Sequence, residues 1–189
     1  MYDWTSVLAR AERRATTWRE RQTNKGLPVP PDLQRSAPFA PATAAQIAAT
    51  EKRLSVRLPP SLRSFYLTSN GYGVVGSFIW GVPSIERLGW IRDLEPQFCA
   101  MLRASFASSK TLGMPHDLSV GVIRSLLLST KGDVSYWVLD PNTRNAAGEW
   151  RAGRWSSWNP GIAWIADNFY TLFEREVASA EEHLTLPAR

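Results

Sequence analysis

The stretch LPPSLRSFYLTSNGYG, residues 58–73, restricts what this chain can fold into more than any other segment. A proline at 59 or 60 sits where a helix's first N–H has no intrahelical partner anyway, so it costs little and sets the start. Leu62, Phe65 and Tyr66 recur at i, i+3 and i+4, which makes one apolar face. Asn70 and Gly71 readily adopt the left-handed conformation that ends a helix. The spacing therefore predicts a helix of about three turns with both ends defined. The run VVGSFIWG that follows, residues 74–81, is apolar, β-branched and aromatic, and reads as a strand.

The segments before it are also well punctuated. Thr43 is followed at the third position by Gln46, a capping-box spacing, and predicts a helix over 44–54 with Ile47 and Leu54 facing inward. That helix must end before Leu58-Pro59, because the residue preceding a proline avoids the α region. Residues 26–43 hold five prolines and a glycine and read as an extended connector. Residues 3–22 place Trp4, Val7, Leu8, Ala11, Ala15 and Trp18 on one helical face, with the arginines mostly elsewhere. A surface helix docked by its tryptophans is favoured over a nucleic-acid arm. Glu12 and Glu20 interrupt the polar face and disfavour a membrane-surface helix.

In the second half, Ser84 is placed to cap a helix running toward Arg92. A second helical piece starts near Glu95-Pro96 and carries Phe98, Met101, Leu102 and Phe106, and residues 113–115 read as loop. GVIRSLLLST and DVSYWVLD, residues 121–130 and 133–140, read as strands joined at Lys131-Gly132. Asp140-Pro141-Asn142 turns the chain, and residues 148–158 can form another strand. Asn159-Pro160-Gly161 reads as a turn before the clearest helix, with Ile162, Ile165, Phe169, Leu172 and Phe173 on its apolar face. The order is an α+β pattern, not an alternating one. We expect a single domain with a mostly antiparallel sheet flanked by helices. Its parts are a helix and Pro-rich connector over 1–42, the domain body over 43–180, and a tail over 181–189.

The pattern Ile47-x3-Glu51-x2-Leu54-x-Val56-x-Leu58-Pro59-x2-Leu62-x2-Phe65-Tyr66-x3-Ser69-Asn70-Gly71 resembles the signature of the SUKH superfamily. That superfamily includes the fungal Smi/Knr cell-wall-assembly regulators and many bacterial immunity proteins. Trp80-Gly81, Gly132-Asp133, Leu139-Asp140 and the closing helix with Phe169 and Leu172 agree with its later parts, so the likeness spans roughly 43–175. Ser55 stands where the family usually has a glycine after the first helix, and the family's frequent acidic balance is absent. The resemblance implies a binding role. Bacterial members are typically encoded beside polymorphic toxins, nucleases and deaminases among them, and block the toxin's active site. It implies no cofactor and no catalytic residue.

Charge leaves the partner open. The chain of 189 residues carries a formal net charge of +5, which suits nucleic acid, anionic lipid or an acidic protein face. A single cysteine, Cys99, excludes an intrachain disulfide and disfavours a Cys-based metal site. No stretch reaches the roughly 18 apolar residues of a membrane span, and the start lacks a signal-peptide run, so a soluble, cytoplasmic protein is expected.

No catalytic constellation stands out. His116 and His183 are far apart in sequence, and nothing resembles a nucleophile elbow. Cys99 shares a helical face with Phe98 and Met101 and reads as a buried thiol. Gly71-x-Gly73-x2-Gly76 follows a helix and precedes a strand, the wrong order for a dinucleotide fingerprint. Asp133, Asp140 and Glu149 are carboxylates near strand ends in turn-prone settings, where solvated or turn-capping roles are commoner than acid–base work. We expect no enzyme, no metal and no cofactor.

The segment EWRAGRWSSW, residues 149–158, interleaves the two residue types most enriched at binding hot spots. On a strand, Trp150 and Trp158 share one side and Trp155 takes the other, so they serve either the core or a partner. The partner-binding set read from sequence is Tyr72, Trp80, Arg144, Trp150, Arg151, Arg154 and Trp155. The preferred partner is a cognate toxin protein. A regulatory scaffold role and nucleic-acid binding are the alternatives, and membrane is not expected.

Overall fold

The computed structural model describes residues 2–29, 38–75, 81–110, 121–130, 135–156 and 159–185. Most of the strand read at 74–81, with Trp80, lies outside these residues. So do His116, Asp133, the Lys131-Gly132 turn and Trp158.

Helix α1 spans Trp4–Asn24 and begins where the Asp3 side chain accepts the Ser6 N–H. It buries Trp4, Val7, Leu8, Ala11 and Ala15, the face its periodicity predicts, while Trp18 is half-buried. Helix α2 spans Ala44–Leu54 and opens with the complete capping box of Thr43 and Gln46. It ends on Ser55, which takes the left-handed conformation itself, at φ 54°. An L side chain pays a steric cost of about 1–2 kcal/mol there that glycine avoids. The greater freedom of glycine in the unfolded chain offsets part of this gain. Ser55→Gly is therefore expected to raise unfolding stability by roughly 0.5–1 kcal/mol, read as a higher urea midpoint at unchanged m-value.

Helix α3, Pro60–Thr68, is the predicted short helix, with Ser61, Leu62, Phe65 and Tyr66 buried. Its stop is tertiary and differs from the left-handed end read at Asn70: the helix ends on Ser69 in extended conformation, and Asn70 does not take a positive φ. Gly71 has φ +101°, and a Cβ there would meet the Val82 carbonyl oxygen at 2.9 Å. The close approach comes from an antiparallel bridge between Tyr72 and Val82. Asn70 contributes by its side chain, whose oxygen accepts the Ile85 N–H at 2.7 Å.

Five strands form one antiparallel sheet in sequence order: β1 (Gly89–Trp90), β2 (Leu126–Leu127), β3 (Ser135–Leu139), β4 (Ala152–Ser156) and β5 (Asn159–Ala166). With α4 (Ile91–Leu94), α5 (Pro96–Lys110) and the closing helix α6 (Phe169–Thr185), this is a single α+β domain. Every residue of β3 is buried, so both sheet faces are covered. Alternation sends Trp137 and Leu139 into the core shared with α1, α3 and α6. It sends Tyr136 and Val138 to a second core with Cys99 and Leu102 of α5. Met101, grouped with that face by sequence, is exposed instead.

Three sequence readings of elements need correction. The strand read over 121–130 is helical at 121–123 and forms strand only at Leu126–Leu127. The helix read from Ser84 to Arg92 is a 3-10 turn at Ile85–Arg87, then β1, then α4. Gly89 and Trp90 are drawn out of helix by pairing with Leu127 and Leu126. The helix read from Ile162 begins only at Phe169, and the turn read at residues 159–161 belongs to β5. Residues 162–166 pair with β4, and the Asn168 side chain then accepts the Thr171 N–H at 2.8 Å to start α6. Pro160 is tolerated because β5 is the last strand in the sheet order, where one missing N–H breaks no second ladder.

α1 belongs to the same core. Trp4 is 1% exposed and touches the rings of Phe65, Phe169, Tyr170 and Phe173 at centroid distances of 5.0 to 5.5 Å. Arg10 reaches α6, at 2.6 Å from the Glu181 carboxylate and 3.8 Å from Glu174. The acidic end of α6 is thus partly matched from within the chain. Among the described residues no helix is long and apolar enough to cross a membrane.

Candidate functional site

The first turn of α3 lacks a local cap, because Pro59 offers no side-chain acceptor. A residue far along the chain takes that role. Glu149 is 3% exposed, accepts the Ser61 N–H at 2.8 Å and the Ser61 hydroxyl at 2.6 Å, and also accepts the Tyr2 hydroxyl. Its negative charge sits at the positive end of the helix, where it is stabilised. Burial, and then the Glu149 carboxylate, push the Tyr2 phenol up to about 12. Ser61 Oγ also accepts the Phe169 N–H at 3.3 Å, which ties α6 to the same point.

This arrangement places the loop that precedes β4. Glu149 and Asn145 exchange backbone and side-chain hydrogen bonds at 2.9 and 3.0 Å, and the Gly148 N–H donates to the Asn145 carbonyl. Gly148 has φ +81°, and a Cβ there would lie 3.7 Å from Pro60 and 3.8 Å from the Arg144 guanidinium. The loop's other end is held by Asp140, which is buried. It accepts the Asn142 N–H at 2.9 Å and pairs with Arg124 at 2.9 Å, so the turn-capping role read for it is realised.

From the opposite side, Glu51 of α2 accepts the Leu58 N–H at 3.0 Å, and its two carboxylate oxygens accept from the single Arg63 nitrogen Nη1 at 3.1 and 3.0 Å. The Leu-Pro turn and the 144–148 loop therefore face each other across a cleft of about 350 Å³. Arg57, Arg63 and Arg144 line it, over a floor of Leu58, Pro60 and the two small residues Ala146 and Ala147. Glu51 answers Arg63. Arg57 and Arg144 are exposed and have no hydrogen-bond or ion-pair partner among the described residues. A second hollow of about 450 Å³ beside α2 is also lined by two arginines, Arg53 and the exposed Arg87. Its Arg53 is bound to the carbonyls of Glu86 and Leu88 at 3.2 and 2.7 Å.

The residues singled out from sequence separate into three groups. Arg144 and Arg151 are exposed, and Arg144 belongs to the cleft. Arg154 is about one-third exposed, and its guanidinium lies 3.8 Å from Glu176 of α6, so part of its charge is used inside the fold. Tyr72, Trp150 and Trp155 are core residues and present no surface to a partner. Tyr72 packs against Phe173 at 5.7 Å, Trp150 joins the main core, and Trp155 meets Phe98 at 4.5 Å in the second core. Trp155 is buried because Cys99 and Leu102 of α5 cover its side of the sheet. Trp80 lies outside the described residues. Cys99 is 1% exposed, and burial raises its thiol above the ordinary range.

Arg57 and Arg63 are the cleft residues that sequence reasoning did not bring forward. The available signal was their placement on either side of the prolines, in Arg57-Leu58-Pro59-Pro60-Ser61-Leu62-Arg63. Residues 41–175 match the SMI1 / KNR4 family (SUKH-1). No curated protein matches the chain.

Proposed function

Because the chain belongs to the SMI1 / KNR4 family (SUKH-1), we propose that it is an immunity-type binding protein, which holds a cognate toxin domain and occludes its active site. One observation carries the reading beyond the family: two exposed arginines, without a partner among the described residues, stand at a cleft whose walls are held by buried and half-buried hydrogen bonds. Such pre-organisation lowers the entropy lost on binding. A stable protein complex buries about 800 Å² on each partner. The cleft would be the centre of a larger face that includes the exposed Arg151.

Affinity capture from the native cell at low and moderate salt tests this. One stoichiometric protein with a toxin-like domain, retained at moderate salt and inactive while bound, is the expected result. A non-toxin protein in its place would favour the regulatory scaffold reading. Nucleic acid alone, lost steeply as salt rises, would reject both.

A further inference from the structure

The geometry points to the Arg57–Arg63–Arg144 cleft as a receptor for carboxylate side chains on an acidic segment of the partner protein. This rests on the proposed binding role and names the chemistry that the partner must supply. Guanidinium groups match carboxylates through paired N–H donors, and this site already holds one carboxylate, that of Glu51, against a single guanidinium nitrogen of Arg63. Arg57 and Arg144 are left with the same capacity and no acid to meet it among the described residues.

The size of the cleft narrows the ligand. About 350 Å³ is near the lower end of ligand pockets, roughly 300–1,000 Å³. It suits one or two side chains and not the continuous track of a phosphate backbone. The tryptophans point the same way. Single-stranded nucleic acid is held by bases stacked on exposed rings. Trp4, Trp137, Trp150 and Trp155 are buried, and Trp18 and Trp90 are half-buried, so no tryptophan with a described side chain is an open platform. The basic helix α1 is also less available than its composition suggests, since Arg14 is buried and Arg10 is engaged by α6. The small residues Ala146 and Ala147 in the lining leave room for an incoming acid.

The test uses the full chain with three probes: N-acetyl-tetraglutamate, its tetraglutamine counterpart, and a single-stranded deoxyoligonucleotide of about 12 nucleotides. Titration calorimetry at low salt is expected to show binding of tetraglutamate and none of tetraglutamine. The double variant Arg57→Glu/Arg144→Glu is expected to weaken tetraglutamate binding at least tenfold. Ala147→Glu, which sets a carboxylate into the cleft and leaves the arginines in place, should weaken it similarly. Both changes are at exposed positions, and unchanged thermal midpoints would show that the fold survives. Failure of tetraglutamate to bind, equal binding by the variants, or a preference for the oligonucleotide would overturn the assignment. The two proposals can fail separately. A captured toxin that the double variant still holds removes the cleft and keeps the immunity reading. Tetraglutamate binding at the cleft in a chain that captures no toxin does the reverse.

Discussion

Trp4→Ala is expected to cost about 3–5 kcal/mol of unfolding stability, the range for truncating a buried aromatic. The site has little freedom to collapse. Trp4 is 1% exposed and its ring is enclosed by Phe65, Phe169, Tyr170 and Phe173, which belong to two other helices. Edge-to-face contacts of this kind add about 0.5–1.5 kcal/mol each beyond area burial. The loss should appear in urea denaturation and as a fall in melting temperature of ~10 °C. Trp4→Phe supplies the contrast. The indole N–H of Trp4 is buried without a hydrogen-bond partner, and an orphaned donor costs about 1–3 kcal/mol. Phenylalanine removes that donor while keeping most of the ring contacts, so its cost should stay below about 1.5 kcal/mol. If Trp4→Ala cost less than 1 kcal/mol, α1 would not unfold together with the rest of the domain.

Glu149→Ala is expected to cost about 3 kcal/mol, because it strands the Ser61 N–H, the Ser61 hydroxyl and the Tyr2 hydroxyl at once. Glu149→Gln should cost less, about 1–2 kcal/mol, since an amide keeps one acceptor oxygen but turns donors toward donors. Hydrogen exchange would then report faster opening of the first turn of α3. A tyrosine titration gives an independent reading. Without the carboxylate, Tyr2 should ionise below its present value of about 12, while burial, the larger cause, keeps it above the ordinary range. The sign for stability follows. A phenol whose folded pKa is raised stabilises fully below about pH 10 and loses that contribution as pH climbs through about 12. Part of the alkaline destabilisation of the wild type should therefore be missing in Glu149→Ala. An unaltered tyrosine titration would remove Glu149 from the account of Tyr2.

The local reading of residues 43–71 survives well in the structure, and the physical reason is range. The capping box of α2 and the proline start of α3 act on backbone groups within a few residues. The error at 159–168 arises where range fails. An apolar run containing Ile162 and Ile165 fits helical and strand periods alike, and only the pairing partner decides. The Trp and Arg segment shows the same limit. Alternation correctly separated the two sides of the strand, but it could not say that α5 would bury the second side and remove Trp155 from the surface.

The candidate site was half legible. Arg144 was visible as part of a basic patch, and Glu149 as a carboxylate in a turn. That the Glu149 carboxylate serves the start of α3, 88 residues earlier in the chain, was not visible. Nor was the meeting of Arg57 and Arg63 with Arg144, which that bond arranges. Residue identity alone determined where α2 begins and where α3 starts, because the capping box and the proline act on neighbouring backbone groups. Only the tertiary structure decided which tryptophans are core and which arginines are left exposed together. Burial and charge pairing depend on what the rest of the chain brings to each face, and no local pattern carries that information.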